Sequence, residues 1–233
     1  LSTARAIVQG KLQNQRLLLQ RVFRDRPDQE LETAIDQIGY LSARAGRTNS
    51  IQRLLGVEGS AAGSYFGVFD RLLNQDWSFT HRRRRPPPDP INVLLSLGYT
   101  LLARAAESAA DAVGLDPYVG YLHAAAPGRY SLALDLMEEF RPLIVDRAVL
   151  SACNNRRVRL EHFSPGKEPK RPIVLDDAGR NAFFRELEGR WNTKVSYPEG
   201  EQQVSYRRCL ELQIRQLARC LQSGEDYQPF IPR

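Results

Sequence analysis

Apolar side chains recur along most of this chain three and four residues apart, the spacing of one face of a helix. Leu1 to about Phe23 reads as a first helix, with Ile7, Leu18 and Val22 among its apolar positions. Pro27 breaks it and Asp28 offers the next N-cap. Leu31, Ala34, Ile35, Ile38 and Leu41 then follow in helical register up to Gly46, a C-terminal stop. A third stretch, about Glu58 to Leu73, presents Ala62, Tyr65, Phe69 and Leu72 on one side. Asn92 to Val113 is apolar almost all round, which predicts a helix at the centre of a helical domain, ended by Gly114.

The second half is less regular. GLDPYVGYLH (Gly114 to His123) and PGR (Pro127 to Arg129) read as turns and loop. Ser131 to Leu150 is helical, with Ser131 as its cap, Ala133, Leu134, Met137 and Phe140 directed inward, and Pro142 dividing it. Val158 to Phe163 and Ile173 to Leu175 read as two short strands joined by the turn-rich SPGKEPKRP. Asp176 opens a helix through Arg190 carrying Phe183, Phe184 and Leu187. A last helix, about Val204 to Gln222, sets Leu210, Ile214, Leu217 and Leu221 on one face and stops at Gly224. Tyr227 and Phe230 are positioned to pin the tail, Asp226 to Arg233. The expected fold is mainly α: one multi-helix domain over 1–233, with a short β-hairpin near residues 158–175.

Composition sharpens the picture. At 233 residues and 42% hydrophobic, the chain can bury a core without metal or disulfide staples. No run of eighteen apolar residues exists, so no membrane span is expected. No basic-then-apolar leader is visible. The chain starts at Leu1 and its only methionine is Met137, the expectation for a fragment, a processed chain or an excised domain. Three cysteines, Cys153, Cys209 and Cys220, match no zinc spacing and read as reduced structural thiols of a cytoplasmic protein. The formal net charge is +6, and the basic residues are 29 Arg against 4 Lys. Arginine suits bidentate phosphate contacts, so nucleic acid is the first partner to consider; an Arg-rich codon usage is the plain alternative. The run HRRRRPPPDP (His81 to Pro90) is either a phosphate contact or a solvated loop.

Candidate chemistry follows from charges in apolar company. Glu58 falls on the same face as Ala62 and Tyr65, where a carboxylate is costly unless paired. His123 ends a Gly- and Pro-punctuated loop, and the helix after it carries Asp135, Glu138 and Glu139 at neighbouring positions. One imidazole with carboxylates from two helices is a plausible centre for Mg²⁺ or Mn²⁺, whose open positions would take phosphate oxygens. The competing reading is a structural histidine and acids paired with arginine, Arg141 being near at hand. No Gly-rich phosphate loop and no nucleophile elbow competes.

Four strings in order, GVEGSAAGSYF (Gly56 to Phe66), PPPDPINVLLSLGYTLL (Pro86 to Leu102), GLDPYVGYLH and GRYSLALDLMEEFRP (Gly128 to Pro142), resemble the CRISPR-associated Cas-one integrase family. AIVQGKLQNQRLLLQR (Ala6 to Arg21) is similar to the first helix of its C-terminal catalytic domain. The resemblance implies an integrase that joins 3′-hydroxyl ends of captured duplex DNA to a CRISPR repeat, also an endonuclease on branched DNA. It implies Glu58, His123 and Glu138 as metal ligands and catalytic residues for Mg²⁺ or Mn²⁺, with Asp135 a secondary candidate. Arg82, Arg83, Arg84, Arg129 and Arg141 are the expected DNA contacts; Tyr65, Asn92 and Tyr99 are the expected supporting residues. The partners implied are double-stranded DNA, the small Cas-two protein and, in the full-length protein, a second copy. The resemblance implies that this chain is the helical catalytic domain, without the family's N-terminal β-rich domain. A transposon-encoded relative and a non-catalytic DNA-binding scaffold are the alternatives.

Overall fold

The computed structural model describes residues 1–124, 126–198 and 203–232; Arg233, the end of the expected tail, lies outside them. The fold is mainly α, as the periodicity predicts, with two small antiparallel hairpins. The central helix is the first one. In α1 (Ser2–Asp25), Ala4, Ile7, Val8, Leu12, Leu18 and Leu19 are buried, and so are Lys11, Asn14 and Gln15. It packs against α2 (Gln29–Gly46), α3 (Ile51–Gly67) and the segment 138–146.

The caps follow the sequence closely. Asp28 accepts the backbone N–H groups of Glu30 and Leu31 at the start of α2, and Ser50 accepts that of Arg53 in α3. Helix α3 therefore starts ahead of Glu58 and ends at Gly67; Phe69–Leu72 is a separate 3₁₀ turn, not its continuation. In α4 (Pro90–Val113), Asp89 accepts from the Asn92 N–H, and Gly114 closes the helix at φ 83°. Helix α4 is not enclosed on all sides as expected. Ile91, Leu94, Leu95, Leu102, Ala106 and Ala110 are buried, but Leu101 faces solvent.

The segment after His123 is broken more finely than one kink. A six-residue α5 (Ser131–Leu136) gives way to a 3₁₀ turn at Glu138–Phe140, a π turn at Arg141–Asp146, and α6 (Arg147–Asn154). Pro142 has no N–H to complete an α ladder, which accounts for the change of winding there. Ser131 does not cap: its hydroxyl donates to the Ala124 carbonyl, 2.9 Å away, and ties down the preceding loop.

The first hairpin lies later than expected, with β1 (Phe163–Glu168) paired to β2 (Arg171–Leu175). The N–H groups of Arg157 and Val158 both turn back onto the Ala152 carbonyl, and Leu160–His162 is a 3₁₀ turn, so extension begins only at Phe163. A second hairpin, β3 (Lys194–Ser196) with β4 (Gln203–Ser205), follows α7 (Asp177–Trp191). It claims Val204 from the last helix, so α8 is Tyr206–Ser223, capped by Ser205. Phe184, named on the helix from Asp176, and Leu221, placed on one face with Leu210, Ile214 and Leu217, are exposed. Tyr227 and Phe230 are buried and pin the tail, Phe230 stacking on Phe140 with centroids 5.5 Å apart. Cys153 and Cys209 are buried, unbridged thiols.

Candidate functional site

Three elements converge on one cavity of 740 Å³: α3, the middle of α4 with the arginine loop that precedes the helix, and the loop-and-turn region 122–141. Glu58, His123 and Glu138 all line it, together with Arg82, Arg84, Arg129, Arg141 and Tyr99.

The histidine is fixed by Asp135. This buried carboxylate accepts the backbone N–H groups of Tyr121 at 2.6 Å, Leu122 at 2.9 Å and His123 at 3.1 Å, and lies 2.5 Å from His123 Nδ1. A carboxylate only accepts, so Nδ1 carries the proton and the Nε2 lone pair is left available to a ligand. The fold permits this wrap because residue 120 is glycine. A Cβ there would come within 2.7 Å of the His123 carbonyl and 2.9 Å of Asp135 Oδ2. Asp135 thus holds the loop that presents His123, and does not itself line the cavity.

Glu138 is 3% exposed. Lys11 Nζ lies 2.7 Å from its Oε2 and Arg141 Nη2 3.3 Å from its Oε1. Burial opposes its charge, but Arg141 and Lys11 outweigh that and hold the carboxyl down at about 2. The same Lys11 ammonium pairs with Glu58 Oε1. Burial works against the ammonium too, yet Glu138 and Glu58 raise its pKa above the usual lysine value. Among the described residues, no three His, Cys, Asp or Glu side chains already stand as a ready ion cage. Two carboxylates facing a shared buried cation, with an oriented imidazole on the same cavity, nonetheless form a donor set suited to Mg²⁺ or Mn²⁺.

Tyr65 and Tyr99 donate to the two oxygens of Asp146 at 2.8 and 2.6 Å. Burial raises the Asp146 pKa to about 6 against the pull of these phenols. The guanidinium groups of Arg141 and Arg82 lie 4.7 and 5.4 Å from the Tyr99 ring centroid. Asn92 anchors the arginine loop. Its carbonyl accepts from Arg82 Nη1 and the Arg83 N–H, and its amide donates to the His81 carbonyl and to Asp89. Arg82 also donates to Ser96, 3.1 Å away. Arg84 feels the charges of Arg85, Arg141 and Arg129; burial first, then those neighbours, lower its pKa. Arg83 is exposed and outside the cavity, while Arg85 and Arg104, not singled out by sequence, line it.

Lys11 and Asp146, which contact cavity-lining residues without lining the cavity themselves, were also missed by sequence reasoning. Lys11 had a signal: it shares the register of Ala4, Ile7 and Leu18. Glu139 faces away from the cavity, towards the tail. It accepts from Tyr227 Oη and the Phe230 N–H, both at 2.7 Å, and burial raises its pKa to about 8.

These features place the molecule among helical proteins that assemble acids, an imidazole and arginines around one polar cavity. The family model for CRISPR associated protein Cas1 matches residues 1–189, and the chain belongs to that family. It is 43% identical to the CRISPR-associated endonuclease Cas1 3 of Thermus thermophilus, over all of this chain and 67% of that protein. Among solved structures it is similar to a casposase bound to integration product, with TM-score 0.82 and 27% identity over 97% of this chain and 62% of that one. It also matches a Cas6-RT-Cas1–Cas2 complex with TM-score 0.82 and 28% identity, over 98% of this chain and 25% of that one. Among the described residues, no helix is long and apolar enough to cross a membrane.

Proposed function

We propose that this chain carries the metal-dependent DNA-joining centre of a CRISPR adaptation integrase. The observation that carries the reading is the shared cavity: Glu58, His123 and Glu138 line one space with Arg84, Arg129 and Arg141. Glu58, Glu138 and His123 Nε2 would hold Mg²⁺ or Mn²⁺. When bound, such an ion supplies Lewis-acid activation of a phosphodiester and helps generate the attacking oxygen. The chain's own residues do the rest. Asp135 fixes the imidazole tautomer and direction. Arg129 and Arg84 bind phosphate oxygens by charge-assisted hydrogen bonds. Arg141 spans Glu138 and the Tyr99 ring, so it orients a carboxylate while presenting positive charge to the backbone of the substrate. Tyr65, Tyr99 and Asp146 position Arg141 and Arg82, and Asn92 positions the arginine loop.

The substrate class is duplex DNA with a 3′-hydroxyl end, and the partners are the Cas-two protein and a second copy of the full-length protein. Two close variants share the chemistry: an endonuclease, in which water replaces the 3′-hydroxyl, and a transposon-type integrase, favoured by the casposase likeness. Calorimetric titration with Mn²⁺ tests the centre, comparing the chain with His123→Ala. Saturable binding lost in the variant is the expected result. Equal binding by both would overturn the ligand set. Product analysis with a branched DNA then separates the variants: a joined strand marks transesterification, and free ends marking water as nucleophile identify the endonuclease.

A further inference from the structure

Lys11 is the buried lysine of a chain that otherwise relies on arginine; Lys167, Lys170 and Lys194 are all exposed. It projects from the central helix α1 to a carboxylate of α3 and one of the turn after α5, pairing with Glu58 Oε1 and with Glu138 Oε2. Those are two of the three groups assigned above to the metal. Arg141 takes the other Glu138 oxygen, so a divalent ion that draws on both carboxylates has to contend with the ammonium. Two cations cannot share contact oxygens in a low-dielectric site without strong repulsion. A lysine suits the role because its ammonium is a compact point charge on a flexible stem that can swing away; a guanidinium fork would lock both carboxylates.

We propose that Lys11 is the internal cation of this centre, holding Glu58 and Glu138 together until a divalent ion takes their oxygens by exchange. The inference rests on the metal-centre reading and deepens it. Lys11 is a positioning residue here, and it sets the affinity of the site. Its removal takes the shared cation from two carboxylates, leaving Glu138 only Arg141, but frees their oxygens for metal, so metal affinity and metal-free stability move in opposite directions.

The experiment is Mn²⁺ calorimetry with thermal melting on the chain, Lys11→Met and Lys11→Arg. Lys11→Met is expected to melt lower in chelator. It should bind Mn²⁺ about tenfold or more tightly, the size of one charge-assisted hydrogen bond that the ion no longer has to break. Lys11→Arg keeps the competing charge and should bind no more tightly than the unaltered chain. A folded Lys11→Met with equal or weaker Mn²⁺ binding overturns the proposal. Should Lys11→Met fail to fold, acetylation of the unaltered chain decides: Mn²⁺ should raise modification of Lys11 relative to Lys167, Lys170 and Lys194, and an unchanged ratio overturns the exchange. Mn²⁺ binding that needs His123 but ignores Lys11 sinks only this proposal. Absence of binding by the chain and by Lys11→Met sinks the metal centre with it.

Discussion

Asp135 serves four donors with two oxygens: three backbone N–H groups and the His123 ring. Asp135→Asn keeps the size but turns one oxygen into a donor facing N–H groups. Mn²⁺ affinity should fall about 10- to 100-fold, the usual cost of losing a partner that orients a metal-binding histidine. Titration calorimetry checks this, and unchanged affinity would show that His123 needs no such support. At this scale the sequence was informative wherever a charge broke an apolar register. Glu58 and Glu138 stood out in that way. Lys11 breaks register just as clearly, among Ala4, Ile7 and Leu18. A lysine on a helix ordinarily snorkels to water, however, and register alone does not separate the two cases. The donors that satisfy Asp146 come from α3 and α4, far from it in sequence, and no local pattern announces such a triad.

Between elements, two buried carboxyls hold segments together. Asp146 joins α3 and α4 to the π turn, and Glu139 joins the preceding turn to the tail. Burial raises their pKa values to about 6 and about 8. Both lie above the unfolded values, so the folded state binds more protons through the interval. Their stabilisation is full below about pH 4 and is lost as pH rises through 6 and then 8. In chelator, the melting midpoint should fall from pH 5 to pH 9, and Glu139→Gln should flatten the fall above pH 7. A midpoint that rises with pH over that range would contradict this assignment. The helices were legible because caps and periodicity agree: Asp28, Asp176 and Gly114 or Gly224 mark ends that the structure honours. The misses have local causes. Three-residue strands such as β3 and β4 are too short to show alternation, and their pairing, not their composition, defines them. The all-apolar look of α4 suggested the central helix. The centre is instead α1, whose buried face carries polar groups that make it look like a surface helix.

Across the whole molecule, positive charge gathers on one concavity. Arg84, Arg85, Arg129 and Arg141 surround the cavity, while Arg83 is exposed outside it. DNA affinity should fall steeply with salt, with a log–log slope of about −3 to −4 if most of those four meet phosphates. Arg84→Ala should reduce the slope by about 1, and Arg83→Ala should change it less. Fluorescence anisotropy over a range of NaCl concentrations measures both, and a flat dependence would remove the cavity from consideration as a DNA-binding face. The arginine excess was evident in composition, but its focus was not. Asn92 gathers the loop by bonding Arg82, Arg83, His81 and Asp89, a role that no pattern of residue types around an ordinary asparagine announces.

The amide of Asn14 donates to the carbonyls of both Glu139 and Phe230, at 2.9 and 2.8 Å. Gly10, one turn away, leaves room for Pro229, which a Cβ there would approach within 2.6 Å. These contacts knit an early helix to the residue beside Glu138 and to a segment more than two hundred positions further on. Non-local closures of that span form late. During synthesis, the nascent chain can wind α1 to α3 early, but it cannot lock the turn that carries Glu138 until Phe230 has left the ribosome. A half-made polypeptide therefore displays its arginines before the turn that carries Glu138 has been set.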